Sequence, residues 1–342
     1  MRMNLQYEAV RTGRAIGGYF ELETSSRFEF PYAEAFRFQS GRAAFMALLA
    51  ARRPRRVWAP RFICDAMLQP IIESGAQIGL YSLDSRLDIA ADLVLGDEDL
   101  ILYVNYFGLC DDNCARLLMR YRRGQVVLDY SQAFFSPSLP CLATIRSPRK
   151  FVGLPDGGLL HTALPIEMPA GRDDQSLGRC VHLLKRLGAD AEPGYPDYQE
   201  AERSLVSVSP RRMSTLTERM MSGIDFSEVA RKRIENFAQL HAALGDFNEL
   251  PSGSVARAVP LCYPLLVSGV DLRKKLSAER IYTATYWPDI IPRTEQPSLE
   301  RRLMQWCVAL PCDQRYDQSD MQRIITIVLD GLDGLAISKK TE

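Results

Sequence analysis

Histidine is scarce in this 342-residue chain, with three in all, and net charge is absent, since Lys plus Arg and Asp plus Glu number 42 each. Without an overall field there is nothing to draw nucleic acid or an anionic membrane, so neither is an expected partner. Eight cysteines stand at 64, 110, 114, 141, 180, 262, 307 and 312, and no two make a C-x-x-C step. Cys110 and Cys114 would share a helix face, but no nearby histidine completes a zinc set, so no metal is expected. The thiols read instead as small hydrophobes of a reducing compartment. No apolar run approaches the roughly 20 residues of a membrane-spanning helix. The opening MRMNLQYEAVRTGR lacks the apolar core of a secretory signal, so a cytoplasmic location is expected. Neither G-x-G-x-x-G nor a Walker loop occurs, which removes the main support for dinucleotide or nucleoside-triphosphate binding.

What the chain does contain is an ordinary globular composition, 46% hydrophobic and 25% charged, over a length that suits two lobes. Between 40 and 162 two periodicities alternate. GRAAFMALLAA (41–51) predicts a helix, RVWAP (56–60) a strand, and CDAMLQPIIESGA (64–76) a helix kinked at Pro70 and stopped by Gly75. QIGLYSL (77–83) and DLILYVNYFGL (99–109) predict strands, 112–122 a polar helix, and QVVLDYS (125–131) a buried strand ending on an acid. Strands alternating with helices predict a mostly parallel sheet covered on both faces, with ligands at the carboxyl ends of its strands. Helical periods follow over 172–188 and 197–245. A second α/β unit then begins near 256: strand RAVPLCYPLLVSG, helix VDLRKKLSAER, strand CVALPCD and helix SDMQRIITIVLDGL, capped by Ser319 and Asp320. RRPRR (52–56) joins a helix to a strand and reads as a solvated turn rather than a basic binding patch.

Three features carry chemistry. Asp129 follows Val-Val-Leu at a strand's carboxyl end, where it would hold a cationic ring nitrogen, carry a metal, or cap the next turn; Gln132 would face the same ligand or cap the turn. QSGRAAF places Ser40 and Gly41 at a helix start, offering either amides for a phosphate or a simple N-cap. Lys150 lies between Arg149 and a hydrophobic residue, ahead of Pro-Asp-Gly-Gly. Ser147 and Lys150 make an S-x-x-K spacing, but the S-D-N and K-T-G strings of serine acyl-enzymes are missing, which excludes that class. In chain order the three could hold pyridoxal 5'-phosphate: amides on phosphate, acid on the pyridine nitrogen, lysine on the aldehyde. A desolvated lysine of lowered pKa would suit that role.

With these residues in view the chain resembles the DegT/DnrJ/StrS nucleotide-sugar aminotransferases, pyridoxal-phosphate enzymes of fold type I, in a polysaccharide-cluster branch. The resemblance runs through GGYFELE (17–23), QSGRAAF, WAPRFICDAMLQPIIESGAQIGLYSLD (58–84), VNYFG (104–108), VLDYSQAF, SPRKFVGLPDGG (147–158), IYTATYWP (281–288) and ALPCDQRY (309–316). It implies a large domain over 1–245, with an N-terminal segment 1–36 and a mostly parallel seven-stranded sheet flanked by helices, and a small α/β domain over 246–342. Lys150 would bear the cofactor and shuttle protons, and the Pro-Asp-Gly-Gly after it would be the turn that carries the chain away from the cofactor. Asp129 would keep the pyridine nitrogen protonated, Gln132 would lie near the ring oxygen, and the Gly41 and Arg42 amides and Ser147 would take the phosphate. The implied reaction moves an amino group, usually from glutamate, to a keto-sugar nucleotide, in a homodimer. Three departures stand out. Arg42 replaces a Thr or Ser, and Cys64 replaces an aromatic ring against the cofactor face. The asparagine sent into the neighbouring subunit has no counterpart near SVSPRRMST, where Arg211 or Arg212 is the candidate. A sugar dehydratase of the same fold usually has histidine at the lysine position. A relative that has lost turnover is the non-enzymatic alternative.

Overall fold

Apolar stretches too continuous for a half-exposed strand need cover on both faces, and the computed structural model has that arrangement. It describes residues 20, 22–24, 27–206, 209–251 and 258–338. MRMNLQYEAVRTGR, most of GGYFELE, two residues of SVSPRRMST and the first residue of RAVPLCYPLLVSG lie outside the described residues. Seven strands form one sheet: β1 (Phe36–Phe38), β2 (Arg56–Pro60), β3 (Gln77–Tyr81), β4 (Asp99–Val104), β5 (Val126–Tyr130), β6 (Ala143–Arg146) and β7 (Gly158–Thr162). Their order is β1-β7-β6-β5-β4-β2-β3, and β7 alone runs against the rest. Every residue of β4 and β5 is buried. The carboxyl ends of β1, β2, β4, β5 and β6 therefore share one edge.

Three helices descend from that edge. α1 (Gly41–Arg52) starts at Ser40, whose hydroxyl accepts from the Ala43 amide at 3.1 Å, and ends on Arg53 in the left-handed region at φ 49. α2 (Asp65–Glu73) carries Pro70 within it and ends ahead of Gly75, three residues short of the predicted end at 76. α3 (Asp111–Arg120) follows β4. The predicted strand 99–109 stops at Val104, because Asn105 folds the chain over. Its Oδ1 accepts from Cys110 N at 2.9 Å and its Nδ2 donates to Asp111 at 2.6 Å. The turn Tyr106–Gly108 results, with Phe107 at φ 58.

The predicted long helical region breaks into α4 (Ser176–Arg179), α5 (Val181–Gly188), α6 (Tyr195–Arg203), α7 (Thr215–Ser222) and α8 (Phe226–Leu244). Between α9 (Arg273–Ala278), α10 (Leu299–Trp306) and α11 (Gln318–Ser338), two antiparallel strands, β8 (Tyr263–Leu266) and β9 (Cys307–Leu310), make the smaller sheet. Phe237, Leu240 and Leu244 of α8 enter its core with Leu276, Val308, Met321 and Val328. The predicted cap of α11 moves one turn-start earlier. The Asp317 carboxylate accepts from the Ser319 and Asp320 amides at 2.8 and 3.1 Å, and Asp320 accepts in return from the Asp317 amide at 3.1 Å. RRPRR spans the end of α1, the connection 53–55 and the start of β2; Arg56 donates to Gln77 Oε1 at 2.9 Å, and Pro54 is buried.

β7 can pair with β1 only because Gly158 has no side chain: a Cβ there would stand 2.2 Å from the Ser40 carbonyl and 2.5 Å from Gly41 N. Backbone on both sides leaves nothing that can give way. Gly158→Ala is expected to lower unfolding stability by about 3 kcal/mol in urea titration, whereas Gly124→Ala, with open space around it, should leave the midpoint unchanged.

Candidate active site

Asp129 sits next to last in β5 and is buried, with Oδ1 accepting from Ser131 N at 2.8 Å. It thus closes the turn and also lies at the strand's carboxyl end, so the two sequence readings are compatible. Gln132 is buried as well. Its Oε1 accepts from Phe107 N at 2.8 Å, while its Nε2 is buried without a partner. A buried amide donor left unmatched is costly unless a ligand takes it. The left-handed turn at Phe107 is what aims that amide at Gln132.

β6 is followed by Ser147, which is buried, and the chain turns through Pro148–Lys150 in a single 3-10 turn. Lys150 N donates to Ser147 O at 3.3 Å and the Lys150 side chain is exposed. The expected desolvation is not found: Lys150 is exposed on the turn that follows β6. Its flanks are nonetheless fixed: Arg149 is paired with Glu202, and the Phe151 carbonyl accepts from Arg233 Nη2 and Gln314 Nε2, both at 2.9 Å.

Cys64 is the residue before α2 and is half-buried. Burial pushes its thiol up; the positive charge of Lys150 counteracts this and the negative charge of Asp129 reinforces it. At the start of α1, a Cβ on Gly41 would meet Ser131 Oγ and Ile145 Cγ2 at 3.5 Å. Ser131, buried beside that helix start, was not singled out in the sequence. Its position two residues past the strand-end acid is the signal that could have found it. The Arg42 guanidinium lies 3.7 Å from the Glu73 carboxylate on α2. Arg211 and Arg212 lie along the β1 edge. Arg211 pairs with Asp174 at 2.9 Å and Arg212 donates to the Ala170 carbonyl at 2.6 Å.

No protein-family model matches this chain, and no curated protein does either. Solved structures do. Sugar aminotransferase CalS13 from Micromonospora echinospora aligns with TM-score 0.58 and 18% identity over 87% of each chain. A DegT DnrJ EryC1 StrS aminotransferase from Brucella abortus aligns with TM-score 0.56 and 17% identity over 86% of this chain and 85% of that one. The PMP form of Spr1654 from Streptococcus pneumoniae aligns with TM-score 0.61 and 14% identity over 89% and 88%. The chain has the aminotransferase fold. At such identities the likeness reaches the fold and no further.

This aminotransferase-fold chain can be tested for fit to pyridoxal phosphate from its own residues. A buried carboxylate, an unmatched buried amide, a twelve-residue helix with its start at the edge, and an exposed amine on a fixed turn fit that group's ring, oxygen, phosphate and aldehyde. Among the described residues no cluster of three or more metal-ligating side chains occurs, and no helix is long and apolar enough to cross a membrane.

The Pro-Asp-Gly-Gly turn, expected only to lead the chain away, is instead an anchor. Gly157 N donates to Gln39 O at 2.7 Å. Asp156 is fully buried and accepts from Ser214 N and Ser214 Oγ at 2.8 Å each, and from Thr217 Oγ1. Burial outweighs these donors and raises its carboxyl to about 6. A carboxyl raised on folding adds stability that is complete below its unfolded value and is lost as pH rises through about 6. His161, lowered to about 4 chiefly by burial and next by Arg146, acts oppositely in the same range, because protonation costs the folded state. Asp156→Asn removes only the first effect. Its melting temperature relative to the parent should therefore rise from pH 5 to pH 8, by the equivalent of roughly 1.4 kcal/mol, since about one pKa unit of the shift lies above pH 5. A pH-independent difference in thermal melts would refute the assignment.

Proposed function

We propose that this protein is a pyridoxal-phosphate-dependent aminotransferase that moves an amino group, from glutamate, to a keto-sugar nucleotide in surface-polysaccharide or related sugar biosynthesis. It would act in the cytoplasm as a homodimer, with a cofactor-binding domain over 1–245 and a smaller domain over 246–342. The observation that carries the reading is the buried Asp129 carboxylate at the carboxyl end of β5, with the buried, unmatched Gln132 amide three residues on and the exposed Lys150 on the turn after neighbouring β6.

In this reading the Gly41 and Arg42 amides at the start of α1 hold the phosphate, with Ser147 and Ser131 as hydroxyl donors; aligned amides favour an anion there. Ser131 would stand in for the hydroxyl that Arg42 lacks. Asp129, buried at the end of β5, holds a proton on the ring nitrogen through a charge-assisted hydrogen bond. Gln132 Nε2 donates to the ring oxygen. Pyridoxal phosphate, when bound, supplies an electron sink for negative charge at the carbon that carries the amino group. Lys150 Nζ is the group that both captures the cofactor and carries the proton between carbons, which its exposed position on a fixed turn allows. Cys64 lines the face where an aromatic ring would otherwise pack. The lysine at position 150 favours amino transfer over the dehydratase alternative.

Borohydride treatment of the pyridoxal-phosphate-loaded protein should fix a covalent adduct on the peptide containing Lys150. Lys150→Ala should abolish the adduct, and with it 2-oxoglutarate formation from glutamate and a 4-keto nucleotide sugar. Asp129→Asn should keep the adduct but slow turnover by about 10²-fold. An adduct that persists in Lys150→Ala would overturn the proposal.

A further inference from the structure

The loop that carries Cys64 is held by a segment from the far end of the chain. Arg293 Nε donates to the Arg61 carbonyl at 2.9 Å, Nη2 donates to the Ile63 carbonyl, and Nη1 pairs with the Asp65 carboxylate. Arg61 reciprocates, its Nη1 donating to the Arg293 carbonyl at 2.5 Å. The amide of Asp65, the first residue of α2, donates to Asp289 Oδ2 at 3.0 Å. Cys64 itself makes no side-chain capping hydrogen bond to α2, so Asp289 supplies from elsewhere in the chain the cap that the local sequence lacks.

The holding segment is itself rigid. Ile290 is completely buried in the main core, and the Ile290 carbonyl accepts from Thr294 Oγ1 at 2.9 Å. Arg301 of α10 donates to the Ile291 carbonyl at 2.7 Å and to the Thr294 carbonyl at 3.1 Å. Trp287 is at φ 54 with its ring edge-on to Phe62 at 4.7 Å. A bulky side chain keeps a left-handed backbone only where its surroundings fix it. Arg293 spends its donors on acceptors at 61, 63 and 65, either side of Cys64; the planar five-donor guanidinium can do this, and the single ammonium of lysine cannot.

We propose that Arg293 and Asp289 are positioning residues that lock the Arg61–Asp65 loop and thereby fix the Cys64 thiol at the start of α2. The consequence for the cofactor rests on the function proposed above; the lock itself does not. Removing it should free the loop, expose the thiol and loosen the wall against which the cofactor ring lies.

The experiment uses the full chain and its Arg293→Ala, Arg293→Lys and Asp289→Ala variants. In the cofactor-free protein, the rate of Cys64 alkylation by N-ethylmaleimide is followed peptide by peptide, with half-buried Cys141 and Cys180 as internal references. Pyridoxal phosphate is then titrated and its dissociation constant read from absorbance. Arg293→Ala should raise Cys64 labelling relative to the references, and weaken cofactor binding, by about tenfold each, the loss of one charge-assisted hydrogen bond. Arg293→Lys should move both readouts in the same direction, and Asp289→Ala by about threefold. A folded Arg293→Ala protein with parental Cys64 labelling overturns the lock. If Arg293→Ala does not fold, unchanged labelling in Asp289→Ala overturns it instead. Freed labelling with unchanged cofactor affinity overturns the link to the cofactor wall. A parent protein that takes up no pyridoxal phosphate refutes the proposed function, while the labelling still decides the lock.

Discussion

Gly158 lies so close to the Ser40 carbonyl that no side chain could stand between them, and the rest of the edge is arranged around that contact. It lets β7 pair with β1 on one side and with β6 on the other. The turn bearing Lys150 and the start of α1 are thereby tied to the same three strands. The Gln39–Gly157 hydrogen bond and the buried Asp156 with its Ser214 and Thr217 donors extend the tie to α7. The start of α1 and the turn bearing Lys150 thus have fixed relative positions, the preorganisation that the proposed transfer chemistry would need.

The C-terminal part of the chain acts on the same edge from two directions. Gln314, together with Arg233 of α8, holds the Phe151 carbonyl just past Lys150. Arg293 and Asp289 hold the loop around Cys64. The smaller sheet is therefore mechanically joined to both flanks of the site. Most of these contacts are arginine donors on backbone carbonyls rather than ion pairs. A guanidinium can satisfy several such acceptors at once, and buried carbonyls rarely go unmatched.

Much of the fold was legible because its cause is local. The continuous apolar runs of β4 and β5 could be strands only in a sheet covered on both faces, and α1 begins where Ser40 can cap it. Less legible were features set by distant partners. The strand predicted over 99–109 stops early because Asn105 bonds to Cys110 and Asp111. The long helical region breaks where the buried Arg179–Asp173 pair and the Asp156 anchor redirect the chain. Pro-Asp-Gly-Gly looked like a simple exit turn, since nothing in four residues reveals that Asp156 will be buried under α7. The Lys150 side chain, expected to be desolvated, is exposed on a turn that only the assembled edge defines.

Residue order alone determined which strands alternate with helices, and that Asp129 would end a buried strand, because apolar periodicity and chain direction are local properties. It also placed Lys150 after a strand, without saying what would stand beside it. Only the tertiary structure decided that the Gln132 amide would be left unmatched and that Arg293 would bond to both sides of Cys64. Those juxtapositions depend on strand order in the sheet and on contacts between residues far apart in sequence, and the free energy that sets them comes from packing the whole chain rather than from any one segment.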